Sequence, residues 1–367
     1  MLLSITTLCF SQKINIEDIL TYLKAGNALK AKETSDLSIK DKDLITNPKT
    51  WYLRAVTYHS IYESDVKEVK ALSLQPLFEA YNSYIKTMQL DSKKDYNGDI
   101  IKALNIASSQ FVYEGIAYFN LKDYKNALSC FENNLAINKL PAINQIDTIV
   151  IYNAALSAEK SGNNKLAIDY YNQLIKLEYG GANTSLDLAK LYKKENKINE
   201  YILTLENGIK ANPNEDIGLI TEFINYYLEI GKNDEAMSYV DKGIFREPKN
   251  QGFHFVKGSL HEQKGELIKA ESEYIKAIEI DSVYNDALFN LGALYFNQAT
   301  DIIKVAKTKD EQIRSFALYT KAQPLLEKID LLTPGDVQIM KMLKTIYTLL
   351  KIEGKLSEIN KKLEKSQ

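Results

Sequence analysis

An all-α chain of stacked helical hairpins is the fold class that this sequence predicts, and three observations predict it. Seven Pro and 16 Gly are few for 367 residues, which favours long helices over strands and turns. A turn residue recurs at near-constant spacing, as Gly162, Asn196, Gly231 and Gly265, with intervals of 34, 35 and 34. Such a period is the mark of a repeat array. Finally, small and bulky residues keep fixed offsets from each turn, so every interval holds two amphipathic helices.

The elements follow in chain order. Residues 1–11, an apolar stretch too short to span a bilayer, read as a secretory signal peptide. Ser11 would be the last residue removed and Cys9 the small residue two before it, although no Lys or Arg precedes the run. A mature chain starting at Gln12 resembles exported envelope proteins of Gram-negative bacteria, so the expected location is the periplasm. The other reading is a buried first helix in a cytoplasmic protein. Residues 12–45 are expected to form an irregular helical cap.

The repeat array is expected over 46–335, in about seven units. Ala167, Ala236 and Ala270 stand five residues after their turns, where the second helix crosses the first closely; Tyr201 breaks this pattern. Four residues further, Tyr171, Leu205, Val240 and Tyr274 continue the same helical stripe. First helices carry a small residue and then an aromatic three positions later, as in Ala55/Tyr58, Gly115/Tyr118, Ala189/Tyr192 and Gly292/Tyr295. Pro213, Pro248 and Ser282 end successive second helices. Insertions near 62–74 and 299–316 lack clustered Gly or Pro and are expected to lengthen two helical hairpins. Residues 336–367 are expected to be capping helices with a polar outer face.

Trp51-x-x-Arg54-Ala55-x-x-Tyr58, Leu291-Gly292-x-x-Tyr295, Ala127-x-x-x-Phe131, Ala236-x-x-x-Val240 and Ala270-x-x-x-Tyr274 resemble the tetratricopeptide-repeat family over roughly residues 50–354. The resemblance implies a right-handed α-α superhelix, a solenoid whose first helices line a concave surface and bind a protein or peptide. Carried over by register, the partner-binding positions are Tyr152, Asn153, Lys190, Lys193, Asn225, Phe255, Phe289, Asn290 and Phe296. Rings give contact area at low entropic cost, and an amide can serve a peptide backbone in both directions. The plainer alternative is that Phe255, Phe289 and Phe296 fill gaps between units, and that Lys190 and Lys193 belong to a solvated helix face.

No constellation with a catalytic mechanism appears, and no cofactor is expected. His254 and His261 lie seven residues apart with no third ligand, and His261 stands at an aromatic packing position. Cys130 beside Phe131 reads as a buried structural thiol, and Gly180-Gly181 as a turn. Glu17/Asp18 and Glu215/Asp216 fall at helix starts, where the helix dipole favours anions. A net charge of −2 offers no field for nucleic acid. The expected function is a non-enzymatic interaction scaffold in the cell envelope, without a stable membrane span and able to pair through its terminal repeats with a second copy. The alternative is a binding component of a nutrient-uptake assembly that captures glycan or peptide.

Overall fold

The structure, a computed structural model, describes residues 14–365; the signal reading of residues 1–11 lies outside them. The described residues are helical and contain no strand. They form two compact units, one of residues 14–180 and 191–197, the other of residues 181–190 and 198–365.

The first unit opens with α1 (Glu17–Lys24) and α2 (Ala28–Ser38), followed by a 3-10 turn at Leu44–Thr46. Then come α3 (Pro48–Glu63), the single turn α4 (Lys67–Lys70) and α5 (Pro76–Leu90). The pairs α6 (Asn97–Asn120) with α7 (Tyr124–Asn138), and α8 (Thr148–Lys160) with α9 (Asn164–Lys176), complete it. Helix α10 (Gly181–Lys194) contributes residues to both units. The second unit continues with α11 (Ile198–Ala211), α12 (Ile217–Glu229) and α13 (Asn233–Arg246). It goes on through α14 (Gln251–Gln263), α15 (Leu267–Ile280), α16 (Asn285–Val305) and α17 (Lys309–Leu332). It ends in α18 (Val337–Leu349) and α19 (Glu353–Lys365). In each unit consecutive helices pack as antiparallel hairpins, and each hairpin packs on the next.

One local device makes most of the turns. Gly26, Lys122, Gly162, Asn196, Gly231, Gly265 and Lys351 all adopt positive φ. In each case the next residue's N–H bonds back to a carbonyl five residues earlier, as in Asp123 to Tyr118, Asn163 to Ala158 and Glu266 to His261. This Schellman closure satisfies helix-end carbonyls that would otherwise be orphaned. The following helix is often capped by a side chain: Asn27, Asp123 and Asn163 each accept a backbone N–H of the helix they precede.

The two insertions behave differently. At 299–316 the helices themselves lengthen: α16 has 21 residues and α17 has 24. At 62–74 they do not, because α3 stops at Glu63 and an extended Ser64 and the short α4 bridge to Pro76. That hairpin is lengthened by its connection. Ser64 and Val66 in β conformation end the helix, and Pro76 then starts α5 at a position where no amide donor is needed.

Ala167, Ala236 and Ala270 are fully buried at the helix crossings. Tyr201, where the pattern breaks, is buried as well; its hydroxyl donates to the Glu222 carboxylate at 3.1 Å and its ring meets Tyr226 edge-on. This is a general solution here, and it suits the 24 tyrosines. Tyr171 donates to Glu159 (3.0 Å), Tyr170 to Glu132, Tyr295 to Glu271 and Tyr347 to Glu327. Each large ring fills the seam while its polar tip finds an acceptor on a neighbouring helix. In the first unit the Arg54 guanidinium, 7% exposed, bonds Asp36, Glu79 and Ser83 and lies over the Tyr58 ring, whose hydroxyl also donates to Asp36.

Candidate partner-binding surface

The expected partner-binding positions divide between the units. Tyr152, Asn153 and Lys193 belong to the first; Lys190, Asn225, Phe255, Phe289, Asn290 and Phe296 belong to the second. In the first unit Tyr152 is half-buried, its ring 6.3 Å from that of Tyr171 and 6.1 Å from that of Tyr179. Asn153 and Lys193 are half-buried too.

The second unit brings four of its positions onto one core. Phe255, Phe289 and Phe296 are half-buried and pack against the cluster containing Tyr274, Leu291, Tyr295 and Tyr319. Phe255 stands 6.0 Å from the Tyr274 ring and meets Tyr284 edge-on at 5.7 Å; Phe296 meets Tyr319 edge-on at 5.6 Å. Asn290 Nδ2 donates to the Tyr274 hydroxyl at 3.3 Å, so part of its hydrogen-bonding capacity is spent inside the hairpin. Lys190 and Asn225 are exposed.

Sequence reasoning missed Glu262 on α14. The Tyr274 hydroxyl donates to Glu262 Oε2 at 2.7 Å, and burial followed by this bond pushes the phenol well above its ordinary value. The signal was present: Glu262 precedes Tyr274 by twelve residues (274 − 262), as Glu159 precedes Tyr171 (171 − 159), and both pairs bond. Tyr284, at the edge of Phe255, was also missed, since it precedes α16 rather than standing on it.

The histidines are not brought together as ligands. His254 is buried, with Nδ1 2.7 Å from Glu273 Oε2 and Nε2 3.2 Å from the Pro248 carbonyl; His261 pairs through Nδ1 with Glu266 at 2.6 Å. Among the described residues no group of three His, Cys, Asp or Glu side chains is placed to hold a metal ion, and no helix is long and apolar enough to cross a membrane. Cys130 is buried, and burial followed by the charges of Glu114 and Asp123 pushes its thiol up to about 12.

Comparison with known proteins gives two matches to the tetratricopeptide-repeat model, at residues 150–178 and 252–284. These are the hairpins α8/α9 and α14/α15, the two that carry the Glu–Tyr pairs 159/171 and 262/274. A TPR repeat-containing protein of Methanocaldococcus jannaschii is 23% identical over 352 residues, covering 80% of this chain; the match spans 60% of that relative's length. Among solved structures, the C-terminal part of a TPR repeat-containing protein from Cytophaga hutchinsonii is 16% identical with a TM-score of 0.47, covering 69% of this chain and 93% of that one. A TPR repeats protein from Bacteroides fragilis is 25% identical with a TM-score of 0.31, covering 66% and 98%. YrrB, described as a TPR protein with an unusual peptide-binding site, is 17% identical with a TM-score of 0.36, covering 57% and 98%. With a segment in each unit that matches a tetratricopeptide repeat, and a relative of the same description over 80% of this chain, the comparisons support the tetratricopeptide-repeat family.

Proposed function

We propose that the chain is a binding scaffold that holds a protein or peptide partner against the surface formed by the first helices of its hairpins. The observation that carries this reading is the placement of Phe255 and Phe289. They occupy equivalent stations 34 residues apart (289 − 255) on α14 and α16, each with one side on the core and the ring still half-exposed. A ring held by packing offers contact area whose ordering cost has already been met by folding. Exposed Asn225 on α12 supplies amide donors and an acceptor in the same unit.

On this reading residues 1–11 direct export, and the partner is met in the periplasm of a Gram-negative bacterium. N-terminal sequencing of the protein from its host is expected to begin at Gln12. The surface is tested by placing a photo-crosslinking residue at Asn225 and, for comparison, at Ile268 on α15, which is 85% exposed. A defined partner is expected from position 225; capture from 268 and not from 225 would place the partner on the second helices and sink the reading.

Tyr113 on α6, 73% exposed, favours a second reading, capture of a glycan by stacking on a sugar ring. Thermal melting against glycan and peptide panels separates the two, because a ligand that binds only the folded state raises the midpoint.

A further inference from the structure

The stretch 62–74 is where the first unit departs from its repeat, and it walls a cavity of about 390 Å³. That volume falls within the roughly 300–1,000 Å³ of small-ligand pockets. Its lining includes Tyr62 from the end of α3, Lys70 from α4, Phe78 from α5, and Glu114 and Tyr118 from α6. Three aromatic rings from three helices therefore line the same cavity as one carboxylate.

The carboxylate lacks a counter-charge. Glu114 is half-buried, and its hydrogen bond is a long one, from the Tyr62 hydroxyl at 3.3 Å. Asp36 has Lys32 and Arg54, Glu273 has His254 and Lys276, and Glu327 has Lys355, whereas Glu114, like Glu132 and Glu222, accepts from a tyrosine hydroxyl without an ion pair; what sets it apart is its place on a cavity lined by aromatic rings. Lys70, the one cation on the cavity lining, is exposed on α4 and forms no ion pair with Glu114. The negative charge reaches its surroundings, since after burial it is Glu114 that raises the phenols of Tyr62 and Tyr118 and the thiol of Cys130. A half-buried carboxylate with no ion pair attracts positive charge, and electron-rich ring faces attract cations.

We propose that this cavity binds an organic cation, a guanidinium or alkylammonium group on an apolar stem, with Glu114 as its counter-charge and Tyr62, Phe78 and Tyr118 around the stem. The site uses none of the residues of the proposed partner surface, so either can fail without the other.

The test uses the full chain and saturation-transfer NMR with Nα-acetyl-arginine amide and its neutral isostere Nα-acetyl-citrulline amide. Saturable binding of the arginine compound is expected, with the citrulline compound at least ten times weaker. Glu114→Gln is expected to bring the two within twofold while leaving the far-ultraviolet circular dichroism unchanged. Equal affinity for both isosteres in the parent chain, or no saturable binding of either the arginine or the corresponding lysine amide, overturns the proposal. The isostere comparison needs no variant, so it decides the matter even where Glu114→Gln does not fold. Adding n-butylguanidinium and an arginine-containing tripeptide identifies the source: binding of both points to a free small cation, and binding of the tripeptide alone to a partner's side chain.

Discussion

At the residue scale, tight packing and burial set what each position tolerates. A Cβ added at Gly258 would stand 2.7 Å from the Tyr274 ring, which is itself held by Glu262, Asn290 and Phe255. The ring cannot retreat. Overpacking costs about 1–3 kcal/mol and the gain in helix propensity returns up to about 1, so Gly258→Ala is expected to lose about 1–2 kcal/mol in urea unfolding. Gly98 in the first turn of α6 meets nothing within 4 Å, and Gly98→Ala is expected to be neutral or to gain about 0.5 kcal/mol. Cys130 offers a second check. A thiol pushed up to about 12 is almost wholly protonated at pH 8, so in a Cys9→Ser variant the native protein is expected to resist a thiol reagent there and to react fully once unfolded in guanidinium.

At the element scale, the turns show where residue identity and backbone demand disagree. Gly162, Gly231 and Gly265 meet positive φ without a Cβ, and Asn196 tolerates it, but Lys122 and Lys351 hold φ of 62° and 57° with a full side chain. The Schellman bonds from Asp123 to Tyr118 and from Ile352 to Tyr347 keep them there. Lys122→Gly is expected to stabilise the first unit by about 0.5–1 kcal/mol in thermal or urea unfolding, since it removes that strain. A loss of stability would show that the lysine side chain does something the turn geometry does not reveal. These two turns were illegible in the sequence for the same reason: lysine carries no turn signature, and only the closing hydrogen bonds mark them. The insertion at 62–74 lengthens its hairpin as expected, but by a connection rather than by longer helices, since α3 ends at Glu63 and Pro76 starts a new helix.

At the scale of the whole molecule, paired carboxylates in both units set the response to acid. Burial opposes the charge of Asp36, but hydrogen bonds from Lys32 and Tyr58 and the charge of Arg54 outweigh it and hold its carboxyl below the usual range. Glu273 is held down in the same way by His254 and Lys276, and Glu327 by Lys355, Gln323 and Tyr347. Each depressed group binds fewer protons when folded than when unfolded. Its stabilisation is therefore present above the ordinary carboxylate range, about pH 4, and is lost as pH falls through the folded values. Melting temperatures are expected to vary little with these groups between pH 7 and 5 and to fall steeply below about pH 4, with Asp36→Asn shrinking the drop.

The sequence by itself determined the all-helical class, the period near 34 residues, four of the turns and the buried stripe of Ala167, Tyr171, Ala236, Val240, Ala270 and Tyr274. These depend on spacings within one or two helices, which chain order preserves. Tertiary structure alone decided the division into two units, the assignment of Tyr152, Asn153 and Lys193 to the first and of the phenylalanines to the second, and the use of Asn290 as a partner of Tyr274. It also decided that Glu114 shares one cavity lining with three aromatic rings and forms no ion pair there. Such facts rest on which side chains meet across packed helices distant in the chain, and a helical period fixes a residue's face but not what the neighbouring helix presents to it.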